Sequence, residues 1–492
     1  MPKRAPIFFF LFSFLAFFCG NARAQDEAEP EAPSEVERLR QEIADLRERL
    51  DAIEGSAGDT AAPAPETTGG FGLGELDFDI SLTNGISLKS LDGNYQFHLG
   101  GRVQADFRGF ESDYPTVSQF LVRRARIDLE AKFYKTFTFF VQGDFAGAGA
   151  VLTDGYGEIQ LFPELAIRLG QFYVPFTLED SAMSDNTLIL QERSFAITNI
   201  GPERDIGAMI RGNVGKGLFE YWVGIFNGVG RNRTDNNDDK DGAIRLIFRP
   251  FRLFMEDKHL LSGIQVGGSA TYGHQNLAIA GNRFTTSGGT AFLTFAPFTR
   301  AFERRIRIGA EFAWFGGPFA VIAEALLLRF DHLELVNPAA LPLRKLLDTY
   351  GYTATASVMV TGENRRADGI WHEDEYGVAQ RGPHNPFNPA EGGWGAIEVG
   401  ARWSQIDTER DALGKGFVIG ATRADAFAAG VTWWLRENVR FMVGYERVLF
   451  DRELNRPKFT VNLPGGAGVI PGTGVDEINN EDVFFARFAI WF

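Results

Sequence analysis

The sequence predicts an all-β chain that folds as a transmembrane antiparallel β-barrel, preceded by a short N-terminal coiled-coil helix. Three observations predict the barrel. Many segments alternate apolar and polar side chains, these segments are even in number, and the last one ends the chain on the aromatic Phe492. Since successive side chains of a strand point to opposite faces, each segment offers one face to lipid and one to a water-filled lumen. A β-sandwich would show the same alternation, which by itself leaves both folds open.

The N-terminus has the features of a secretory signal peptide over residues 1–24. Two basic residues precede a run from 7 to 18 that is apolar apart from Ser13, and Ala22-Arg23-Ala24 is a small-x-small cleavage site. Cleavage there removes Cys19, the only cysteine of the chain. The exported protein would therefore be stabilised by packing and hydrogen bonds rather than by disulfides.

Residues 25–70 are predicted to form a periplasmic segment: an acidic lead-in, a helix over 34–54 and a linker. Apolar residues of the helix alternate spacings of three and four, which is a heptad seam. The seam residues are Val36, Leu39, Ile43, Leu46, Leu50 and Ile53. Because a single helix of this length is marginal in water, we expect a parallel homotrimer or dimer. The alternative is a helix packed on the periplasmic side of its own barrel.

The barrel domain is predicted over residues 71–492, with short turns alternating with long loops as periplasmic turns and outer loops do. The predicted strands are 94–109, 120–133, 136–145, 154–162, 165–174, 205–214, 217–227, 241–250, 260–273, 304–315, 318–330, 351–361, 393–405, 423–434, 438–450 and 482–492. This even count places both chain ends in the periplasm. A further candidate strand at 76–88 keeps 18 strands as an alternative.

Two connections break the simple pattern. The segment 361–393 is long although it must be periplasmic, and the apolar stretch 289–296 must fold into an outer loop. Strand parity places Arg124 and Arg126 on the lumen face, and it places Arg123 on the opposite face, near lipid head groups.

Composition and motifs bound the function. A net charge of -15 argues against nucleic acid as a partner. The acidic segment 235–242 is rich in oxygen ligands but departs from the EF-hand pattern, so we interpret it as a solvated loop and predict no metal or cofactor. No HExxH or serine-nucleophile motif supports an outer-membrane barrel enzyme, which stays a minor alternative.

Six segments between residue 95 and the C-terminus carry a family likeness through their order and spacing. They are FLVRRARIDLEAKFYKTFTFFVQGDF (120–145), IRLGQFYVPFTLED (167–180), LQERSFA (190–196), RIGAEFAWFGGPFAVIAE (307–324), VMVTGENRR (358–366) and GGWGAIEVGARWSQID (392–407). Together they resemble the phosphate-selective porins (O/P porins) of Gram-negative outer membranes. The resemblance implies a sixteen-stranded homotrimer embedded in outer-membrane lipid and lipopolysaccharide. It also implies passive diffusion of small anionic solutes such as phosphate.

The resemblance further implies a third outer loop, here 174–204, that folds inward as the constriction, and a long periplasmic turn, here 361–393, that enters the lumen. Arginine matches the planar geometry of oxyanions. The residues expected to bind anions are Arg124, Arg126 and Arg193, followed by Arg102, Arg108, Arg168 and Arg204.

For each of these arginines the alternative is an ion pair with a carboxylate of the wall. Lysine is sparse and the lumen faces also carry acidic residues, which weakens the expectation of phosphate specificity. A weakly selective general porin that also tethers the envelope to the cell wall through its coiled coil is therefore the competing hypothesis.

Overall fold

A computed structural model describes residues 76–81, 85–90, 92–111, 117–147, 149–255, 259–335, 342–373, 378–451 and 480–492. The predicted signal peptide, acidic lead-in, coiled-coil helix and linker lie outside these residues. Among the described residues, no helix is long and apolar enough to cross a membrane.

The described residues form mainly β-strands, numbered here in chain order. The strands are β1 (Leu76–Ser81), β2 (Gly85–Ser90), β3 (Tyr95–Phe110), β4 (Gln119–Phe133), β5 (Phe137–Asp144), β6 (Val151–Phe162), β7 (Leu165–Tyr173), β8 (Arg204–Val214), β9 (Phe219–Phe226), β10 (Asp241–Phe248), β11 (Ile264–Ala278), β12 (Arg283–Thr285), β13 (Ala291–Phe295), β14 (Thr299–Gly316), β15 (Phe319–Leu335), β16 (Leu343–Met359), β17 (Asn364–Arg366), β18 (Gly369–Glu373), β19 (Ala379–Arg381), β20 (Ala396–Thr408), β21 (Val418–Gly420), β22 (Arg423–Arg436), β23 (Val439–Phe450) and β24 (Asn480–Trp491). The short helices are α1 (Leu178–Ser181), α2 (Phe195–Ile200) and α3 (Asp411–Gly414), with 3-10 turns at Pro250–Leu253 and Leu260–Gly263.

Sixteen of these strands close into an antiparallel barrel, which confirms the predicted fold and strand number. They are β3 to β11, β14 to β16, β20 and β22 to β24. The last strand returns to the first, with Ala489 opposite Gln104. We call the end of the barrel with short connections the turn end, and the opposite end the loop end.

The further strand predicted at 76–88 belongs to a hairpin, β1–β2, and not to an 18-stranded barrel. Strand β24 reaches β3 only as far as Arg102, so the first residues of β3 would present an unpaired edge. Strand β2 pairs that edge, with Ile86 opposite Leu99. Pairing satisfies the backbone groups that an exposed edge would leave open.

Several barrel strands extend further toward the loop end than the sequence predicts. Strand β14 begins at Thr299 rather than at 304, and β16 begins at Leu343 rather than at 351. In these extensions charged residues such as Arg344 interrupt the apolar face, although backbone pairing continues. A prediction based on alternation alone therefore places the first residues of these strands too late in the chain.

The side chains alternate between an exposed apolar outer surface and a buried polar lumen face. Examples on the outer surface are Leu99, Val103, Ile127 and Phe139, and examples on the lumen face are Gln104, Asp106, Gln142 and Arg245. In an empty barrel the lumen side chains would be exposed to solvent. Their burial therefore shows that other segments of the chain fill part of the lumen.

One predicted orientation is wrong. Arg123 was expected to face lipid head groups, yet its Nε donates to Glu192 Oε1 inside the barrel at 2.8 Å. A β-bulge causes the change, because Gln104 pairs with Arg124 and the next residue of β3 pairs with Val122. The extra residue, Arg123, turns inward, and the parity of β4 reverses beyond it.

Two anomalous connections are explained by the fold. The apolar stretch 289–296 provides β13, which pairs with β12 and β21 in a small sheet at the loop end. The segment 361–393 forms the sheet β17–β18–β19 at the turn end. From this segment Arg365 reaches inside the barrel, where its Nε donates to Glu398 Oε1 at 2.8 Å and its Nη2 donates to the carbonyl of Thr187.

Candidate functional site

The connection between β7 and β8, residues 174–203, folds into the barrel, and we call it the constriction loop. Its attachment reaches distant strands. The Leu178 N–H donates to Glu324 Oε2 of β15 at 2.9 Å, and Arg440 Nη1 of β23 donates to the carbonyl of Leu188 at 2.8 Å. Since β15 and β23 lie opposite β7, the loop spans the lumen, as the family resemblance implies.

The C-terminal part of the constriction loop is apolar. Helix α2 places Phe195 and Ile197 in a buried core with the lumen face of β15, represented by Leu328 and Phe330. Phe195 also contacts Phe292 of the loop-end sheet in an edge-to-face arrangement, with centroids 5.9 Å apart. This packing fills one side of the barrel.

The middle of the loop is charged, and Glu192 is its first anchor. Four guanidinium groups surround this carboxylate. The distances from their nitrogens to its oxygens are 2.5 Å for Arg487, 2.8 Å for Arg123, 3.2 Å for Arg108 and 3.4 Å for Arg124. Burial opposes ionisation, but these cations hold the pKa of Glu192 well below its usual range.

Asp185 is the second anchor. Arg126 Nη1 donates to its Oδ2 at 2.6 Å, Arg124 Nε lies 3.2 Å from the same oxygen, and Arg193 Nη1 donates to Oδ1. Against the effect of burial, the three guanidinium groups hold the pKa of Asp185 well below its usual range. The two carboxylates therefore occupy much of the arginine cluster that the sequence predicts.

Open space remains on the other side of the loop, between it and strands β3 to β10. A chamber of about 230 Å³ lies toward the loop end, and we call it the outer chamber. A chamber of about 270 Å³ lies toward the turn end, and we call it the inner chamber. Both are lined by Arg126, Tyr173, Asp180, Asp185, Arg193 and Arg204. These six residues border both chambers, and we call the place where they lie the constriction.

The seven arginines expected from the sequence fall into distinct places. Arg126, Arg193 and Arg204 lie at the constriction, and Arg124 lines the outer chamber. Arg102 and Arg168 line the inner chamber. Arg108 lies apart from both chambers, where its Nη1 donates to the carbonyl of Gly288 at 3.2 Å.

Each of these arginines has a carboxylate within ion-pair distance. Examples are Arg168 Nε with Glu158 Oε2 at 2.7 Å, and Arg204 Nη2 with Asp154 Oδ2 at 2.8 Å. Ion pairing was the alternative for every one of these arginines, and the structure shows it. The most connected partners, Asp185 and Glu192, belong to the constriction loop, whereas we had expected carboxylates of the wall.

Asp180 differs from the other two loop carboxylates. It lies 3.3 Å from Arg193 Nε, but burial dominates and raises the pKa of Asp180 to about 7. Because Asp180 lies at the constriction, the charge there depends on pH near neutrality. The sequence offered no signal for this residue beyond its place in the third long loop.

The acidic segment 235–242 lies at the end of the connection between β9 and β10 and runs into the first two residues of β10. Lys240 Nζ contacts Asp235 Oδ2 at 2.8 Å, so an internal cation meets this carboxylate. Within the part of the chain that the structure describes, no group of three or more His, Cys, Asp or Glu residues could hold a metal ion.

Comparison with known proteins agrees with this architecture. The model of the family "Phosphate-selective porin O and P" matches residues 97–458. Porin O of Pseudomonas aeruginosa is 25% identical over 416 residues, which cover 77% of this chain and 89% of that protein.

Two solved structures show weaker likeness. OmpT of Vibrio cholerae, an outer-membrane protein, has a TM-score of 0.48 at 10% identity, covering 81% of this chain and 99% of that chain. The outer membrane channel DcaP of Acinetobacter baumannii has a TM-score of 0.47 at 9% identity, covering 82% and 99%. On the family match, this chain belongs to the phosphate-selective porin O and P family and is an outer-membrane β-barrel channel.

Proposed function

We propose that the channel admits small anions by passive diffusion, with modest rather than strong selectivity. The observation that carries this proposal is the charge at the constriction. Three guanidinium groups, those of Arg126, Arg193 and Arg204, face the two carboxylates of Asp180 and Asp185. The fixed charge is therefore positive but small, and fixed positive charge lowers the barrier for anions relative to cations.

A tight site for inorganic phosphate is less well supported. Such a site needs several guanidinium N–H groups that converge on one anion. Arg126 directs Nε to Asp144 and Nη1 to Asp185, at 2.8 and 2.6 Å, and Arg204 is bound to Asp154. Phosphate would have to compete with these internal carboxylates. The charge pattern thus favours the weakly selective alternative over the phosphate-specific one.

Single-channel recording in a planar bilayer tests the proposal. Under a KCl gradient, we expect a reversal potential that reports anions permeating a few-fold better than cations. Arg126→Gln should shift it toward zero, whereas Arg344→Gln, which alters an exposed arginine on β16 paired with Glu334, should leave it unchanged. Cation selectivity in the unaltered protein would contradict the proposal. Block by micromolar phosphate would restore the phosphate-specific alternative.

We also propose that the protein is a homotrimer with its N-terminus in the periplasm. The heptad seam between Val36 and Ile53 supports the assembly, and the sixteen-stranded closure puts the start of β3 and the end of β24 at the same barrel end. Deleting residues 25–55 should reduce trimers in native mass measurements while single-channel conduction persists. If trimers persist and envelope attachment is lost instead, the tethering hypothesis gains.

Cysteine labelling tests the orientation. Cleavage of the predicted signal peptide removes the only natural cysteine, so single cysteines can be placed at either barrel end. On intact cells, a polyethylene-glycol maleimide too large to enter the barrel should label Asp238→Cys at the loop end. It should label Glu164→Cys, at the turn end, only after the outer membrane is opened. The reverse pattern would overturn the orientation.

A further inference from the structure

The inner chamber has an aromatic wall, which a lumen for small hydrated ions does not require. Five rings of strands β5, β6, β7 and β9 line it, namely Phe140, Tyr156, Phe172, Tyr173 and Trp222. The rings of Phe140 and Tyr156 are stacked with centroids 5.3 Å apart, and Tyr156 meets Phe172 edge to face at 6.0 Å. These contacts make a continuous apolar surface on the lumen side of β5 to β7.

Guanidinium groups lie over four of these rings, and Arg168 lies over two of them, Tyr156 and, at 5.5 Å, Phe172. The distances from guanidinium carbon to ring centroid are 3.9 Å for Arg168 over Tyr156, 3.7 Å for Arg204 over Tyr173 and 5.0 Å for Arg245 over Trp222. Stacking fixes the plane of each guanidinium group and leaves its edge N–H groups for oxygen acceptors. Apolar faces and positive edges therefore alternate around one chamber.

Arg102 is the least neutralised arginine of the inner chamber. Its Nη2 lies 4.0 Å from Asp128 Oδ1, whereas the chamber's other arginines have a carboxylate within 2.9 Å. Its Nη1 donates to Ser184 Oγ at 3.3 Å, and its buried Nε has no hydrogen-bond partner within the described part of the chain. Arg102 is thus the guanidinium group best placed to donate hydrogen bonds to the carboxylate of a solute.

We propose that the inner chamber binds aromatic monocarboxylates in preference to inorganic phosphate and aliphatic carboxylates. The inference rests on the proposed anion channel and names its substrate class. A ring gains contact with the aromatic wall, which offers nothing to a hydrated inorganic ion. A single carboxylate matches the single under-neutralised Arg102. A dianion would need further guanidinium partners, and those of Arg126, Arg193 and Arg204 are already paired with Asp185, Asp180 and Asp154.

The size of the chamber suits such a solute. An apolar cavity of about 150 Å³ holds benzene, and the inner chamber has about 270 Å³. A benzoate-sized anion therefore fits with room for water around its carboxylate.

Current block in single-channel recordings tests the inference, with benzoate, acetate and inorganic phosphate added in turn. Benzoate and acetate carry the same charge and differ by the ring. We expect benzoate to block at a concentration at least tenfold below that of acetate or phosphate. Phe140→Leu and Tyr156→Leu should each raise the blocking concentration of benzoate roughly threefold to tenfold and leave acetate unchanged.

The matched control is Phe139→Leu, one residue away on β5, because Phe139 is exposed on the outer surface. Benzoate should block this variant at the same concentration as it blocks the unaltered protein. Arg102→Gln should weaken block by benzoate and acetate alike, since it removes the carboxylate partner. Heat-modifiable gel mobility identifies any variant that fails to fold. If Phe140→Leu does not fold, Tyr156→Leu tests the loss of benzoate block, and Phe140→Tyr, which keeps a ring at this position, should retain it.

The outcomes separate this inference from the proposed function. Equal block by benzoate and acetate, with anion selectivity intact, overturns the aromatic preference and leaves the anion channel standing. Benzoate block that survives both wall variants overturns the assigned site. Cation selectivity in the KCl gradient overturns the anion channel itself, whatever benzoate does.

Discussion

The two halves of the barrel use one loop in opposite ways. On the side of β14 to β23, helix α2 and the loop-end sheet fill the lumen with an apolar core. On the side of β4 to β10, the same constriction loop presents Asp180, Asp185 and Arg193 to open chambers. The first half buries apolar side chains, and we call it the sealed half. The second half keeps open space lined by charged groups, and we call it the open half.

This difference separates stability from selectivity. Apolar burial is non-directional and fixes where the loop lies, without information about the solute. The charges on the open half set which ions pass, and they can do so because the other half holds the loop in place. Two anchors join the halves: Glu192 and Asp185 bind arginines of the barrel wall.

Removing Glu192, the anchor with four arginine partners, should change the difference between the two halves most strongly. In Glu192→Ala, the cations of Arg108, Arg123, Arg124 and Arg487 lose their shared carboxylate. Breaking a buried ion pair from one side costs about 3–5 kcal/mol. We expect the loop to detach locally and single-channel conductance to rise severalfold, with lower thermal stability of the folded band on gels.

The matched control is Glu164→Ala, in an exposed short turn, which should leave conductance and thermal stability unchanged. If Glu192→Ala conducts like the unaltered protein, the apolar core alone holds the loop, and the carboxylate anchor is dispensable.

A substitution in the apolar core should weaken the sealed half. Phe195 is 1% exposed, and Phe195→Ala leaves a cavity between α2, β15 and the loop-end sheet. Truncating a buried phenylalanine costs about 3–5 kcal/mol. We expect noisier open-channel current and a lower unfolding temperature, but an unchanged reversal potential, because the constriction charges stay. Phe254→Ala removes a ring that is 82% exposed and should change neither quantity.

The third prediction concerns pH on the open half. Burial raises the pKa of Asp180 to about 7, so this carboxyl is mostly neutral at pH 5.5 and mostly charged at pH 8. Neutralising it leaves more net positive charge beside Arg193, Arg204 and Asp185. Anion preference should therefore increase as pH falls through 7, measured by the reversal potential.

Asp180→Asn is the control for that titration, and its reversal potential should stay at the low-pH value throughout. The same group affects stability with a defined sign. Between the ordinary carboxyl pKa and about 7, the folded protein binds more protons at Asp180 than the unfolded chain does. Its contribution to the free energy of unfolding therefore decreases as pH rises through this window. An unaltered protein with a flat pH profile would contradict the assignment.

The sequence predicted the strands better than the contents of the lumen, for a physical reason. Alternation reports which face meets lipid, and sixteen strands followed from it. Strand β15 is apolar on both faces, for example at Leu327 and Leu328, so no pattern in the sequence says that its lumen face is sealed by a loop. A bulge at Arg123 likewise depends on pairing with β3, which the sequence of β4 does not encode by itself.

The site shows the same limit. The arginines were found because lumen-facing cations stand out on alternating strands, and the third long loop was found by counting. Their partners were missed, because the positions of Asp185 and Glu192 depend on how the loop folds back across the barrel. Long-range ion pairs become visible only when the loop's attachment to distant strands is known.

The smallest expected effect is the sharpest test of the two halves. Arg102 and Arg108 lie six residues apart on β3 and were expected on equal grounds to attract anions. Arg102 lines the inner chamber, whereas Arg108 binds Glu192 and the carbonyl of Gly288 on the sealed side. Arg102→Gln should shift the reversal potential toward zero, since it removes charge from the path. Arg108→Gln should lower thermal stability slightly and leave the reversal potential unchanged, because a charge that solutes do not approach cannot select among them. Equal shifts in both variants would mean that ions also pass on the side of Arg108, and that the barrel holds a second path.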